Sequence, residues 1–150
     1  MSLHQTIIAA VKTTIEALTG EPTVVIRDRL VVMEEDTLPL IVLVKGREIP
    51  ATQYAFGGSA FRGYEVFVNL VYAQNADIQT SIDDAQGWRD TIRKTLIPDS
   101  TAVPPLLSGV TQVWRIDEIE ASGVRPQAAE SNYEEARLGL LYRTCEASHA

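Results

Sequence analysis

Apolar positions along this chain change period several times, and each change marks an element. Leu3, Ile7, Ile8, Val11, Ile15 and Leu18 recur every three to four residues, which places them on one helical face. Ser2 with Gln5 three residues later forms a capping-box pattern, and Gly20 followed by Pro22 supplies a stop. The spacing predicts a helix over residues 3–18. From Thr23 the period becomes two: Val24, Ile26, Leu30 and Val32 share a face, as one long strand or as two short ones broken near Asp28. Glu34, Glu35, Asp36 and Thr37 read as a turn. Leu38 to Val44 is apolar on both faces, as a central strand would be. The clearest alternation runs from Tyr64 to Tyr72, with Val66, Val68 and Leu70 on one side and Glu65, Phe67 and Asn69 on the other.

A second helical period follows in Ile78, Ile82, Ala85, Trp88, Ile92 and Leu96. Asp77 is placed to cap this helix, and Pro98 closes it. Gly87 in its middle costs about 1 kcal/mol relative to alanine, a cost that close packing against a neighbour would explain. Beyond a Pro/Ser loop over 99–109, Val113 to Ala121 reads as a strand, SGVRPQ as a turn or loop, and Ala136 to Cys145 as the last strand. The order is α-β-β-β-α-β-β. Strands joined by turns favour a mainly antiparallel sheet, with the two amphipathic helices packed on one face. This is an α+β fold in a single domain over residues 1–150, with no repeat, linker or low-complexity tract.

Residues 45–63, KGREIPATQYAFGGSAFRG, break the alternation. They read as a long loop between the second and third strands, beyond the usual hairpin length of about 2–5 residues. Lys45, Arg47 and Arg62 face only Glu48 there, a local charge of +2 that leaves −9 on the remainder. Tyr54, Phe56 and Phe61 are interleaved among them. Such a segment suits contact with a nucleic-acid backbone, contact with an acidic neighbouring subunit, or simply a mobile surface loop.

Composition narrows the chemistry. Thirteen basic and twenty acidic residues give a formal charge of −7, which argues against nonspecific duplex binding by the whole surface. Apolar residues at 45% and charged residues at 22% describe an ordinary globular chain. No apolar run reaches the length of a membrane span, and the N-terminus carries no secretory-signal pattern. A lone cysteine, Cys145, has no internal disulfide partner and suits a reducing compartment. His4 and His149 lie near the termini, where chains fray, so a rigid imidazole for a triad or metal site is not expected. Gly57-Gly58-Ser59 lacks the lysine and helix start of a phosphate loop. Glu118, Glu120 and Tyr64 are the polar groups an enzyme reading would have to gather in one cleft, and a solvated face accounts for the carboxylates as well. Trp88 belongs to the core stripe, and Trp114 suits either core or subunit-interface burial. No catalytic, cofactor-binding or metal-ligating residue is expected.

Taken together, the helix HQTIIAAVKTTIEAL, the hydrophobic hairpin ending PLIVLVKG, the long loop before GYEVFVNLVYAQ, the helix DAQGWRDTIRKTL and the closing pair VWRIDEIEASG and ARLGLLYRTCEAS resemble one family. It is the phage tail terminators, the broad group of the minor tail protein U of lambda-like phages. The resemblance covers most of the chain and lies in the order of elements, not in a catalytic motif. It implies a non-enzymatic structural protein of a phage or prophage. Such a protein caps the tail tube as a homohexameric ring, ends tube polymerisation and presents the surface that joins the head. Implied partners are other copies of the chain, the tail tube protein and a head-completion or connector protein. DNA would pass through the lumen without sequence-specific binding, and neither cofactor nor membrane is involved. The protein would reside in the virion tail after assembly in the bacterial host cytoplasm. Lys45, Arg47, Tyr54, Phe56, Phe61 and Arg62 are then the candidates for lumen or partner contact. A head-tail connector or neck protein of similar fold is the alternative, with a small-ligand enzyme behind it.

Overall fold

The computed structural model describes residues 2–18, 20, 22–30, 36, 38–55, 59–73, 78–98, 106–119, 123–126 and 133–147, and of 51–55, 59, 73, 78–82, 123–126, 133, 134 and 147 the backbone alone. Helix α1 spans Leu3–Glu16. The Ser2 hydroxyl accepts from the Gln5 N–H at 3.2 Å while the Gln5 side chain accepts from the Ser2 N–H at 2.9 Å, the reciprocal cap its sequence predicts. Its inward stripe is Ile7, Ile8, Val11 and Ile15, all buried. Burying each is worth about 1.5–3 kcal/mol. Helix α2 spans Ile78–Leu96 and seats Ala85, Ile92 and Leu96 in the same core, with Trp88 packed against it. The predicted cap, Asp77, lies outside the described residues.

The strands are β1 (Thr23–Arg27), β2 (Leu40–Ala55), β3 (Ser59–Ala73), β4 (Val113–Glu118), β5 (Gly123–Pro126) and β6 (Tyr133–Ala147). They form one mixed, mostly antiparallel sheet in the order β1-β2-β3-β6-β4, with β5 paired to β6 beside β4. Both helices lie on one face. Ile41 and Leu43 of β2, Val66 and Val68 of β3, and Leu138 and Leu140 of β6 point into their shared core. The α+β class and the element order are those the sequence predicts.

Five expectations need correction. The first concerns β1, which pairs with β2 in parallel, from Thr23↔Leu40 to Arg27↔Val44, and so makes no hairpin with it. Leu30 and Leu38, at the two ends of the connection, pack with Val25, Leu40, Val42 and Val71 in a second small core on the sheet face opposite the helices. Arg27 donates to both carboxylate oxygens of Asp36 at 2.7 Å, a two-pronged bond that ties the end of β1 to the returning chain. Of the expected turn, Glu34, Glu35 and Thr37 lie outside the described residues.

Second, residues 45–63 do not form a long loop. Residues 45–55 and 59–63 are the outer half of a β2–β3 hairpin, paired as far as Ala55↔Ser59. Register shifts between Lys45 and Glu48 and between Ile49 and Gln53 break the alternation and so hide the strand from a period-two reading. The glycines mark close approach here. A Cβ on Gly46 would lie 2.6 Å from the Glu65 Cβ and 2.7 Å from Phe67 Cε2, and one on Gly63 would lie 3.0 Å from Leu141 Cδ1. Phe67 rests between Gly46 and Gly139, with the Arg137 guanidinium 4.1 Å from its ring centroid.

Third, Gly123–Pro126 is a strand, where a turn or loop was expected. Proline is tolerated there because β5 pairs with β6 as a short outer strand. Fourth, His4 is buried and ordered. Its Nε2 lies 2.8 Å from the Glu65 carbonyl oxygen and its ring meets Tyr64 edge-on at 5.2 Å, so the first turn of α1 is anchored to β3. Gly87 also departs from expectation, since nothing among the described residues lies within 4 Å of a Cβ built there.

Candidate partner-contact surface

The outer end of the hairpin meets β6 and β4 in a groove of about 260 Å³. The β2 irregularity delivers Ile49 and Pro50, β3 supplies Phe61, Arg62 and Gly63, β6 supplies Arg143, and β4 supplies Trp114. Trp114 sits where the β4–β6 register shifts between Val113 and Arg115. It is 45% exposed, the more so of the two large apolar side chains exposed among the described residues. Phe61 stands edge-on to it, with ring centroids 5.9 Å apart at 67°.

Guanidinium groups edge this aromatic pair. Arg143 and Arg115 both donate through Nε to the single carboxylate of Asp117, at 2.7 and 2.9 Å. Burial pushes the Asp117 carboxyl up, but the hydrogen bonds from Arg143 and Arg115 outweigh it and hold the group below its ordinary range. That trio carries one net positive charge. Arg62 lies 3.5 Å from Glu48 and 4.0 Å from Glu146, at the loose end of ion pairing. The surface therefore offers an apolar aromatic knob edged by cations, suited to packing against another macromolecule. It holds no nucleophile–base pair.

The candidates named from sequence are dispersed. Phe61 and Arg62 line the groove. Lys45 is exposed on β2 before the first irregularity. Arg47 lies on the same strand but is engaged by buried Glu65, which accepts from the Arg47 backbone N–H at 2.9 Å and from its Nε at 2.8 Å. That side-chain bond from Arg47 outweighs burial and holds the Glu65 carboxyl below its ordinary range. The Tyr54 side chain and Phe56 lie outside the described residues. Trp114, Arg143, Ile49 and Pro50 complete the groove and were not among the candidates. For Trp114, its size and its position at the start of a strand were the available signal.

The residues of the enzyme reading serve separate contacts. Tyr64 is buried, and its hydroxyl donates to Glu146 at 3.0 Å; burial first and that bond second push its phenol up. Glu118 instead pairs with Arg93 of α2 at 3.2 Å, clamping helix to sheet, and Glu120 lies outside the described residues. Among the described residues no group of three or more His, Cys, Asp or Glu side chains is placed to hold a metal ion. Nor is any described helix long and apolar enough to cross a membrane. The chain matches no protein-family model, and no curated protein matches it in sequence.

Proposed function

We propose that the protein is a non-enzymatic tail terminator of a phage or prophage. It would cap the tail tube as a homohexameric ring, end polymerisation and present the head-joining surface. The observation that carries this reading is the groove at the outer end of the β2–β3 hairpin, where exposed Trp114 and half-buried Phe61 stand beside Arg62 and Arg143. A lone molecule gains nothing from leaving an indole exposed, whereas a subunit of an assembly buries it at a contact. The order of elements and the two helices on one sheet face support the same reading through the resemblance.

Termination in this account is competitive occupancy. The ring binds the growing end of the tube through one face, and its other face does not accept another tube subunit. A formal charge of −7 favours a surface past which DNA slides without being gripped. Light scattering after size exclusion, with tube polymerisation measured alongside, tests the proposal. It expects a discrete species near six times 16.5 kDa and shortened tubes. A persistent monomer that leaves tube length unchanged contradicts it.

A further inference from the structure

We infer that the Trp114 groove of one copy docks head to tail into a notch on α2 of a second copy. This deepens the ring reading and rests on it. The notch is lined by Tyr72, Asp83, Asp84, Gly87, Trp88 and Thr91 and has a volume of about 640 Å³. It lies beside the last turns of β3, whereas the groove lies at the start of that strand. Phe61 and Tyr72 mark the two ends, roughly 35 Å apart at about 3.3 Å per residue. One molecule cannot bring these surfaces together, but two copies can. The contact joins unlike patches, so it is heterologous and either closes into a ring or propagates.

Three observations meet in this contact. Gly87 sits inside a 19-residue helix, where glycine costs about 1 kcal/mol against alanine. No described residue requires it, since a Cβ there meets nothing among the described residues. A bare strip of helix backbone beside Trp88 is what a planar indole needs in order to lie flat and close. Trp114 is 45% exposed and stands with Phe61 beside it, an aromatic pair that a second copy can bury. The charges are also opposed: Asp83 and Asp84 are exposed at the notch, while Arg115 and Arg143 share one carboxylate and Arg62 is loosely held at the groove. Copies that each carry −7 repel overall, so self-association needs a local match of opposite sign.

The test uses the full chain, with light scattering over a range of concentrations. Gly87→Gln fills the notch with a better helix former, and Trp114→Ala removes the knob. Each variant alone is expected to lose the oligomer and run as a folded monomer, and the Gly87→Gln monomer should melt above the Trp114→Ala monomer. A 1:1 mixture retains one good knob and one good notch, so it should give a species of twice 16.5 kDa and nothing larger. Wild-type mass in either variant, a mixture that stays monomeric, or a wild type that is monomeric throughout overturns the contact. Those results leave the terminator reading standing where the wild type still caps tubes. An oligomer built through this contact that never binds tubes overturns the terminator reading instead.

Discussion

Replacing Gly46 by alanine tests the packing that carries the hairpin arm. The added Cβ would lie 2.6 Å from the Glu65 Cβ and 2.7 Å from Phe67 Cε2. No rotamer change relieves the first clash, because the Glu65 Cβ is fixed to the β3 backbone. Its carboxylate is in addition held by Arg47 at 2.8 and 2.9 Å. Phe67 is covered on its face by Arg137, whose guanidinium lies 4.1 Å from the ring centroid, so a shift of the ring disturbs that contact as well. Strands β2 and β3 must therefore part locally, a form of overpacking that costs about 1–3 kcal/mol. For a chain of 150 residues each kcal/mol moves the melting temperature by about 2–4 °C. Urea unfolding should show a lower midpoint at unchanged slope. Combining the change with Phe67→Leu should recover only part of the loss, because the Cβ–Cβ contact remains. A Gly46→Ala protein within about 0.5 kcal/mol of the wild type, the range of an inert surface change, would refute the packing described for this bulge.

Three further outcomes are expected. In the Trp114→Ala background, where the contact with a second copy is removed, Gly87→Ala should raise stability by about 1 kcal/mol in thermal or urea unfolding, the opposite sign from Gly46, because its Cβ meets nothing among the described residues; destabilisation would show that the helix is packed there within one copy. Tyr142 is fully buried and its hydroxyl has no hydrogen-bond partner among the described residues, so Tyr142→Phe should be neutral or stabilising by about 1 kcal/mol. A clear loss would mean that the hydroxyl is bonded. Glu65 and Asp117 both hold their protons less tightly folded than unfolded. Their contribution is full above the unfolded values of about 4 and is lost as pH falls through the depressed folded ones. Glu65→Gln should therefore flatten the fall in stability below about pH 4, and equal slopes in the two proteins would contradict the Arg47 pairing.

Much of the frame was legible in local pattern. The α1 stripe and its Ser2–Gln5 cap, the α2 stripe through Trp88 and the alternation of β3 all depend on near neighbours, which sequence spacing records. The parallel β1–β2 pairing did not show, because a short apolar strand carries no mark of its partner's direction. The outer half of β2 was hidden by its two register shifts. Gly46 and Gly63 look like loop freedom in sequence but serve close contacts with side chains of β3 and β6. His4 stands near a terminus in sequence, yet the Ser2–Gln5 cap and the Glu65 carbonyl hold it in place. As for the groove, Phe61 and Arg62 stood out as an aromatic beside a cation. Their neighbours Trp114 and Arg143 arrive only through the β3–β6–β4 register, which no local pattern encodes.

The central claim is tested most directly at the tube end. Electron microscopy of tail tubes polymerised with the purified, labelled protein should show a ring of density at one end of each tube, with tubes no longer extending once it is present. Label scattered along the tube walls, or tubes that keep growing at full length with bare ends, would contradict the account.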